Sequence, residues 1–295
     1  MRLSMPFLIS TRIPGAALTV EFLIYALGGG HGHARRGLLL QQQLFMRGIA
    51  SVVLLCPGSD CHFPIDCGPR QYGLSLDDPE LASLWRKTPE RLVVDTFPHG
   101  WRGEIEPRFL ARFEKTYWIA RYTRTIEDLG SGFTRILSPY PKGQDEWGDR
   151  LAHAIHVGYI IDASHWRLSG KGNCFAVFDP EGRCTRQLLS AFSLSARKTG
   201  LDFAYHRRLD RPVDAAKLLV VGAGYHTFYE LLGLEVDVRF LPIHKRHDDQ
   251  FLRAGLFGLG LTHLDQLLPW MDAPTQGGNY AAMPDRSAVA DALEV

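Results

Sequence analysis

Two histidines lie in a glycine-rich stretch near the start of the chain, and their chemistry gives the first indication of a function. The sequence from Gly28 to Arg36 reads GGGHGHARR and places His31 and His33 two residues apart. An imidazole titrates near neutral pH, so either histidine can serve as a general base there. The alternative is that both histidines only hydrogen-bond the backbone of a tight turn. Their pairing at the end of a predicted strand favours catalysis, with His33 as the base and His31 as the second candidate.

A second glycine-rich turn follows a hydrophobic strand in the C-terminal half, at Gly222-Ala223-Gly224. The backbone amides from Gly224 to Thr227 can hold a phosphate, because a helix start presents N–H groups and the positive end of the helix dipole. We expect the Thr227 hydroxyl to cap the helix or to bind that phosphate. Glu230, two to three residues into the predicted helix, can accept hydrogen bonds from a ribose diol.

The loop from Pro242 to Gln250 is dense in hydrogen-bonding side chains. Such donors and acceptors suit a sugar and its diphosphate. They are His244, Lys245, Arg246, His247, Asp248, Asp249 and Gln250. The alternative is a solvated loop in which Asp248 or Asp249 is the N-cap of the next helix.

Alternating strands and helices must position these residues. Phe22–Leu27, a helix at Gly37–Arg47 and Ser51–Leu55 predict a βαβ opening, with the glycine loop at the carboxyl end of its first strand. Further strands are expected at Leu92–Asp95, Thr116–Arg121, Arg135–Leu137, Ile155–Ile161, Cys174–Phe178, Leu201–Tyr205, Lys217–Val221 and Val238–Pro242. Further helices are expected at Thr185–Lys198, Thr227–Leu232 and Asp249–Leu256, with a tail from Ala273 that ends in a short helix. This alternation predicts an α/β protein with parallel sheets.

The length of 295 residues favours two domains. The polar, glycine-containing segment Asp162–Asn173 is the candidate linker, which gives an N-terminal domain of residues 1–165 and a C-terminal domain of residues 166–295. The alternative is one large doubly wound domain.

The composition is that of an ordinary globular protein, with 45% apolar and 22% charged residues. A formal net charge of +1 gives no argument for a nucleic-acid partner. Five cysteines, an odd number, are typical of reduced thiols in a cytoplasmic protein. Cys56, Cys61 and Cys67 are spaced too widely for a zinc knuckle, so we expect neither a metal nor another cofactor. No apolar run reaches the roughly 18 residues of a membrane span, and surface contact with a membrane stays open.

Three stretches resemble glycosyltransferases of the GT-B fold. The chain looks most like family 28, the branch that contains the bacterial peptidoglycan N-acetylglucosaminyltransferase and the plant monogalactosyldiacylglycerol synthases. Gly32-His33-Ala34-Arg35-Arg36 resembles the family's G-H-x-x-R, and Val93–Glu104 resembles a D-x-F-P-x-G segment of bacterial relatives. The C-terminal signature is similar to Gly224, His226, Thr227, Glu230, Pro242, Asp248, Gln250, Arg253 and Ala254.

The resemblance implies two Rossmann-like, doubly wound domains facing across a cleft. It also implies metal-independent transfer of a hexosyl group from a nucleotide-sugar donor, usually UDP-linked, to a hydroxyl acceptor. Glu230 would bind the ribose, the Gly222–Thr227 turn the diphosphate, Asp249 and Gln250 the sugar, and the N-terminal histidine would deprotonate the acceptor. The donor set is completed by Tyr225, His226, His244 and Arg246, and the acceptor-side set is Gly30, Gly32, Arg35 and Asp95.

One departure from the family keeps other functions open. Where the family usually carries a second glycine-rich loop, this chain has FDPEG, Phe178–Gly182, whose Asp179 and Glu181 are expected to repel a phosphate. A non-catalytic GT-B-like module that binds a nucleotide or a partner therefore remains an alternative, as does a sugar-nucleotide epimerase. A dehydrogenase is disfavoured because His33 stands where the third glycine of G-x-G-x-x-G belongs.

Overall fold

A computed structural model places the chain in two units. It describes residues 7–10, 20–28, 31–55, 69–71, 89–101, 103, 105–122, 131–164, 166–209, 211–275 and 288–294. Unit 1 comprises Met1–Ile160 together with Pro284–Val295, and unit 2 comprises Ile161–Met283. The sequence analysis set the boundary after residue 165 and assigned the whole C-terminal segment to the second domain. The structure differs there, because residues 284–295 belong to unit 1.

Eight strands form the sheet of unit 1. They are β1 (Phe7–Ser10), β2 (Phe22–Tyr25), β3 (Ser51–Leu55), β4 (Pro69–Gln71), β5 (Arg91–Asp95), β6 (Lys115–Ile119), β7 (Arg135–Ser138) and β8 (Ile155–His156). Their order is β4-β1-β3-β2-β5-β6-β7-β8. The run from β3 to β8 is parallel, whereas β1 pairs antiparallel with β3 and with β4. The predicted parallel α/β sheet is therefore present, with an antiparallel extension at one edge.

Six strands lie in unit 2. They are β9 (Leu168–Ser169), β10 (Cys174–Phe178), β11 (Asp202–His206), β12 (Val213–Asp214), β13 (Lys217–Val221) and β14 (Asp237–Leu241). Four of them form a parallel sheet in the order β11-β10-β13-β14, and β12 pairs with β9. From β10 the chain first adds β11 on one side and then returns to add β13 and β14 on the other side. This reversal of strand order at the centre is typical of a doubly wound sheet.

The described helices are α1 (His31–Met46), α2 (Pro107–Leu110), α3 (Arg186–Lys198), α4 (Tyr225–Leu232), α5 (Gln250–Leu256), α6 (Leu267–Asp272) and α7 (Ala288–Ala292). Single 3₁₀ turns occur at Gly148–Leu151 and Leu264–Gln266. Among these helices none combines the length and the apolar character that a membrane crossing requires.

Helix α1 begins at His31, six positions before the predicted start at Gly37. The prediction followed the apolar run after Gly37, but Ala34 and Leu38, one turn apart, are both buried in the same core cluster. The buried face therefore extends toward the N-terminus. A Cβ at Gly37 would lie 2.7 Å from the Ala26 Cβ and 2.9 Å from the Val53 Cγ1, so this glycine lets α1 lie close to the sheet. The early start moves both candidate histidines out of a loop and into the first turn of a helix.

Helix α7 explains why the end of the chain belongs to unit 1. Val289 and Ala292 are buried in the same apolar cluster as residues of α1. Asp291 pairs with Arg47 at 2.6 Å, and the Tyr117 hydroxyl donates to the Leu293 carbonyl at 3.1 Å. The predicted terminal helix is present, and it packs on unit 1 instead of belonging to the second domain.

A buried cation ties strands of unit 2 to α6. The Lys217 ammonium group donates to Asp237 Oδ2 at 2.8 Å, to the Trp270 carbonyl at 2.9 Å and to the Ala273 carbonyl at 2.8 Å. Asp237 Oδ1 accepts the Trp270 indole N–H at 3.0 Å. All three donors of the lysine are satisfied, and Lys217 and Asp237 are both buried.

Replacing Lys217 with alanine should strongly destabilise the protein. The substitution strands a buried carboxylate, and losing one partner of a buried ion pair costs about 3–5 kcal/mol. Urea unfolding should show that loss, whereas Lys171→Ala, at an exposed position of the same unit, should change the free energy of unfolding by less than about 0.5 kcal/mol. A loss below about 1 kcal/mol for Lys217→Ala would contradict the arrangement.

Candidate functional site

The first candidate site lies in unit 1, where the start of α1 meets the carboxyl end of β5. His33, in the first turn of α1, places its Nδ1 2.6 Å from Asp95 Oδ2 at the last position of β5. Both side chains are buried. The structure therefore joins the leading base candidate to a carboxylate, which is the geometry of a base and the group that orients it.

Arg36 holds the same carboxylate from the other side. Its Nε donates to Asp95 Oδ1 at 2.7 Å, and one terminal amino group donates to Asp95 Oδ2 at 2.8 Å and to Thr96 Oγ1 at 3.1 Å. This bidentate pairing fixes the plane of the carboxylate. Thr96 has φ of +68°, a left-handed conformation that residues other than glycine rarely adopt. Backbone strain thus accompanies the turn that follows Asp95.

Arg36 and Thr96 were not among the predicted site residues. The spacing of three residues between His33 and Arg36 was the available signal, because such residues share one face of a helix. The predicted loop at this position hid that relation. Thr96 carries no sequence signal beyond its place directly after a strand.

The His33 ring is held by close packing on two sides. Phe97 stacks on it with ring centroids 5.4 Å apart and an interplanar angle of 25°. On another side lies Gly28, where an added Cβ would come within 2.2 Å of His33 Cδ2. Glycine at position 28 is therefore required for the ring to occupy its place.

Burial and charge set the protonation of this cluster. Burial lowers the pKa of His33 below its ordinary value of 6.5, although the Asp95 carboxylate acts to raise it. Burial opposes ionisation of Asp95, but Arg36 and then His33 hold the pKa of Asp95 well below its usual range. The ionised carboxylate accepts the proton on Nδ1, so the neutral imidazole keeps its lone pair on Nε2, the nitrogen that can take a proton.

The remaining predicted residues of this half have more limited descriptions. His31 begins α1, and its side chain lies outside the described residues, as does Gly30. Gly32 and Arg35 lie in the first turns of α1, and Arg35 is half-buried. Their predicted roles on the acceptor side stay predictions.

The second candidate site is the bend after β13 in unit 2. Gly222 has φ of +93°, and its amide donates to the Leu241 carbonyl at 2.8 Å. Gln250 Oε1 accepts from the amides of Ala223 at 2.7 Å and Ile243 at 3.1 Å. One buried carboxamide thus ties together the turns that follow two adjacent strands, β13 and β14.

Arg253 supports the same bend from α5. This fully buried arginine donates to the Ala223 carbonyl at 2.5 Å and to Asp248 Oδ1 at 2.8 Å. The Gln250 amide group also donates to Asp248 Oδ2, at 3.2 Å. Gln250 and Arg253 of the C-terminal signature therefore act together to fix the shape of the bend.

Helix α4 starts directly after the bend. Its N-cap is Gly224, and no side chain caps this end of the helix. The prediction that Thr227 caps the helix is wrong, because α4 begins at Tyr225 and Thr227 is its third residue. The positive end of the helix dipole, with the amides of the first turn, is consequently directed at the Gly222–Gly224 bend.

Glu230 is the sixth residue of α4, one turn deeper than predicted. Its side chain is fully buried. Glu230 Oε2 accepts the Trp166 indole N–H at 3.0 Å, and Oε1 lies 3.4 Å from His226 Nδ1. Trp166 lies in the segment predicted as a linker, and nothing in the sequence linked it to this acid.

In the loop from 242 to 250, some side chains make structural contacts and others are exposed. Asp249 is the N-cap of α5 and accepts the Leu252 amide at 3.0 Å, as the alternative interpretation expected. His244 packs on Phe251 with ring centroids 4.6 Å apart, and Arg246 is exposed. Whether Asp249 and Gln250 also touch a sugar stays a prediction.

The two acids of the FDPEG loop have different partners within unit 2. Asp179 points inward and accepts the Cys184 amide at 2.8 Å and the Tyr205 hydroxyl at 3.1 Å. Against the opposing effect of burial, these hydrogen bonds hold the pKa of Asp179 below its ordinary value. Glu181 accepts hydrogen bonds from Lys245, at 2.6 and 2.9 Å, and from Arg183 Nε, at 2.8 Å. The expected repulsion of a phosphate is therefore offset by cations at Glu181, whereas Asp179 is hydrogen-bonded to neutral donors and its buried Oδ1 accepts no hydrogen bond from the described residues.

The described part of the chain contains no group of three or more side chains suited to hold a metal ion. The cluster of Cys56, Cys61 and Cys67 lies outside the described residues. Cys174 and Cys184 carry free thiols. Burial, and then the charge of Asp179, raises the pKa of Cys184 to about 12, so this thiol stays protonated at neutral pH.

Comparison with known proteins identifies the fold. No protein-family model matches the chain, and no curated protein does. A solved structure, "Spinosyn Rhamnosyltransferase SpnG complexed with thymidine diphosphate", is similar over 93% of this chain and 100% of its own, with a TM-score of 0.57 and 14% sequence identity. The chain therefore has the mixed α/β fold with parallel sheets of a GT-B glycosyltransferase.

Replacing Arg36 with methionine should raise the pKa of His33. The guanidinium group lowers the pKa of His33 directly. It also pairs with Asp95, whose negative charge raises that pKa. NMR titration of the His33 ring should therefore show its transition at higher pH in Arg36→Met than in the wild type. The matched control is Arg47→Met, an arginine at the end of α1 that pairs with Asp291 and should leave the transition in place. A transition that stays put or moves to lower pH in Arg36→Met would refute this electrostatic coupling.

Proposed function

We propose that this protein is a glycosyltransferase that moves a hexosyl group from a nucleoside-diphosphate sugar to a hydroxyl acceptor. The observation that carries the proposal is the buried His33–Asp95 pair, 2.6 Å apart, at the carboxyl edge of a parallel sheet. Ligands of open α/β sheets bind at this edge. The likeness of fold to a rhamnosyltransferase supports sugar transfer over other reactions that need a neutral base.

In this proposal His33 is the general base. Its Nε2 takes the proton of the acceptor hydroxyl while the acceptor oxygen attacks the anomeric carbon of the donor sugar. The bond from that carbon to the diphosphate oxygen breaks, and the electron pair leaves with the nucleoside diphosphate. Asp95 stabilises the imidazolium that forms, and Arg36 keeps the carboxylate in position.

The donor is assigned to the bend of unit 2. The first turn of α4 and the Gly222–Gly224 bend offer amides and a positive dipole end to the diphosphate. Arg246 lies exposed in the neighbouring loop and, together with the helix dipole, offsets the charge of the leaving group, so no metal is required. The similar rhamnosyltransferase was solved with thymidine diphosphate, which supports a nucleoside diphosphate as the ligand class. A uridine base follows from the family 28 resemblance alone.

A non-catalytic module is less well supported than transfer. That alternative rested on the acidic FDPEG loop. Glu181 of this loop is paired with Lys245 and Arg183, and Asp179 accepts hydrogen bonds from Cys184 and Tyr205. A hydroxyl acceptor carried on a lipid would bring the protein to a membrane surface from the cytoplasmic side, which is the peripheral contact that the sequence left open.

Replacing His33 with alanine should lower turnover by about 10²–10⁴, because that is the usual contribution of a positioned general base. The assay is release of nucleoside diphosphate from a panel of nucleotide sugars with water or added alcohols as acceptors. Affinity for the nucleoside diphosphate, measured by calorimetry, should change by less than about twofold, since unit 2 is untouched. His153→Ala, at an exposed turn of unit 1, is the control and should keep full turnover. Full turnover in His33→Ala would remove this residue from the mechanism.

The pH dependence of turnover should also report His33. The base must be neutral, and burial lowers its pKa below 6.5, so neutral His33 predominates at pH 6.5 and above. We expect kcat/KM for the donor to decline as the pH falls, with the midpoint of the decline below pH 6.5. A decline already half complete above pH 7 would point to another base.

A further inference from the structure

Glu230 is the one acid that the sequence analysis assigned to the ribose, and its surroundings point to a different role. The carboxylate is fully buried in the second turn of α4. Each oxygen already has a nitrogen neighbour, Trp166 Nε1 at 3.0 Å and His226 Nδ1 at 3.4 Å. A carboxylate must be reachable as well as ionised to accept a hydrogen bond from a ligand, and this one is covered.

Trp166 is the residue that covers it. Besides donating to Glu230, its indole packs edge-on against Phe178 at the end of β10, with ring centroids 5.7 Å apart. Trp166 itself is half-buried, and its N–H faces the acid. The indole therefore lies at the carboxyl edge of the sheet of unit 2, between the end of β10 and helix α4.

Recognition of a ribose differs from recognition of a deoxyribose by one group, the 2′-hydroxyl. An acceptor such as an accessible carboxylate selects the sugar that carries this donor, because the buried acceptor is left unpaired by the analogue that lacks it. When a protein side chain already supplies the donor, that penalty disappears. The hydrogen bond from Trp166 does for Glu230 what a 2′-hydroxyl would otherwise do.

We infer that Trp166 makes the nucleotide site indifferent to the 2′-hydroxyl, so that ribo- and deoxyribonucleoside diphosphates bind equally well. This inference rests on the proposed function, since it concerns the nucleotide that the bend of unit 2 receives. Trp166 is a specificity-determining residue that closes off the acid expected to read the ribose.

The test compares UDP with dUDP, which differ only in that hydroxyl. Calorimetry on the wild type should give Kd values within about threefold of each other. Trp166→Ala removes both the cover and the donor, so it should bind UDP about tenfold more tightly than dUDP. Trp166→Phe keeps a ring over the acid but leaves Glu230 Oε2 without its donor, so its preference for UDP should lie between the wild-type and the Trp166→Ala values. Trp147→Phe, which removes an indole hydrogen bond to Ala120 in unit 1, is the control and should retain the nearly equal affinities of the wild type.

A wild-type preference for UDP of tenfold or more would overturn the inference while leaving the proposed function standing. So would Trp166→Ala binding the two nucleotides equally. If neither nucleotide binds the wild type at millimolar concentration, the proposed function fails, and the inference fails with it. Should Trp166→Ala not fold, the wild-type ratio and the Trp166→Phe ratio decide the question.

Discussion

The donor half of the proposed site depends on the Gln250 carboxamide. Its oxygen accepts amides from the turns after β13 and β14, at Ala223 and Ile243, and its nitrogen donates to Asp248. Two adjacent parallel strands end at this edge, and the chain must leave each one in a sharp turn whose amides have no partner in the sheet. A buried side chain supplies the missing acceptor for both turns. The shape of the bend, and with it the direction of α4, follows from that one group.

In unit 1, the polar group at the end of a strand is a charged carboxylate, and charged or strong donors surround it. Asp95 is ionised and fully buried at the end of β5, a situation that is stable only if strong donors surround the carboxylate. Arg36 and His33 are those donors, and both come from one face of α1. The same contacts that make the buried charge tolerable also fix the tautomer of His33. Stability and the chemistry proposed for this site therefore rest on the same three side chains.

Much of the framework could be predicted from the sequence, because it follows from apolar periodicity. The buried strands β2, β3, β5, β10 and β13 are nearly continuous apolar runs, and the parallel pairing of β2 with β3 follows from helix α1 between them. The start of α1 was missed because glycine and histidine are weak helix formers, whereas burial of Ala34 and close packing at Gly37 decide its position. The antiparallel strands β1 and β4 were missed as well, since their short segments carry little periodicity.

The candidate site residues show the same difference between local features, which the sequence predicts, and long-range contacts, which it does not. Residue type and position after a strand were enough to select His33, Asp95 and the Gly222–Gly224 bend. Contacts between residues far apart in sequence could not be predicted in this way, because nothing local relates Trp166 to Glu230 or Lys245 to Glu181. Glu230 shows the consequence: its type and spacing predicted a contact with a ribose, but they gave no sign of the hydrogen bond that it accepts from a tryptophan 64 positions earlier.

The assignment of the donor diphosphate to the bend of unit 2 is tested most directly by observing the backbone amides of this bend while a nucleoside diphosphate is added. In ¹⁵N-resolved NMR spectra, titration with UDP or TDP should shift the amide signals of residues 224–227 more than any others in unit 2, because the diphosphate is expected to lie against the first turn of α4. Saturating nucleotide that leaves those four signals in place would contradict the assignment of the donor to this bend.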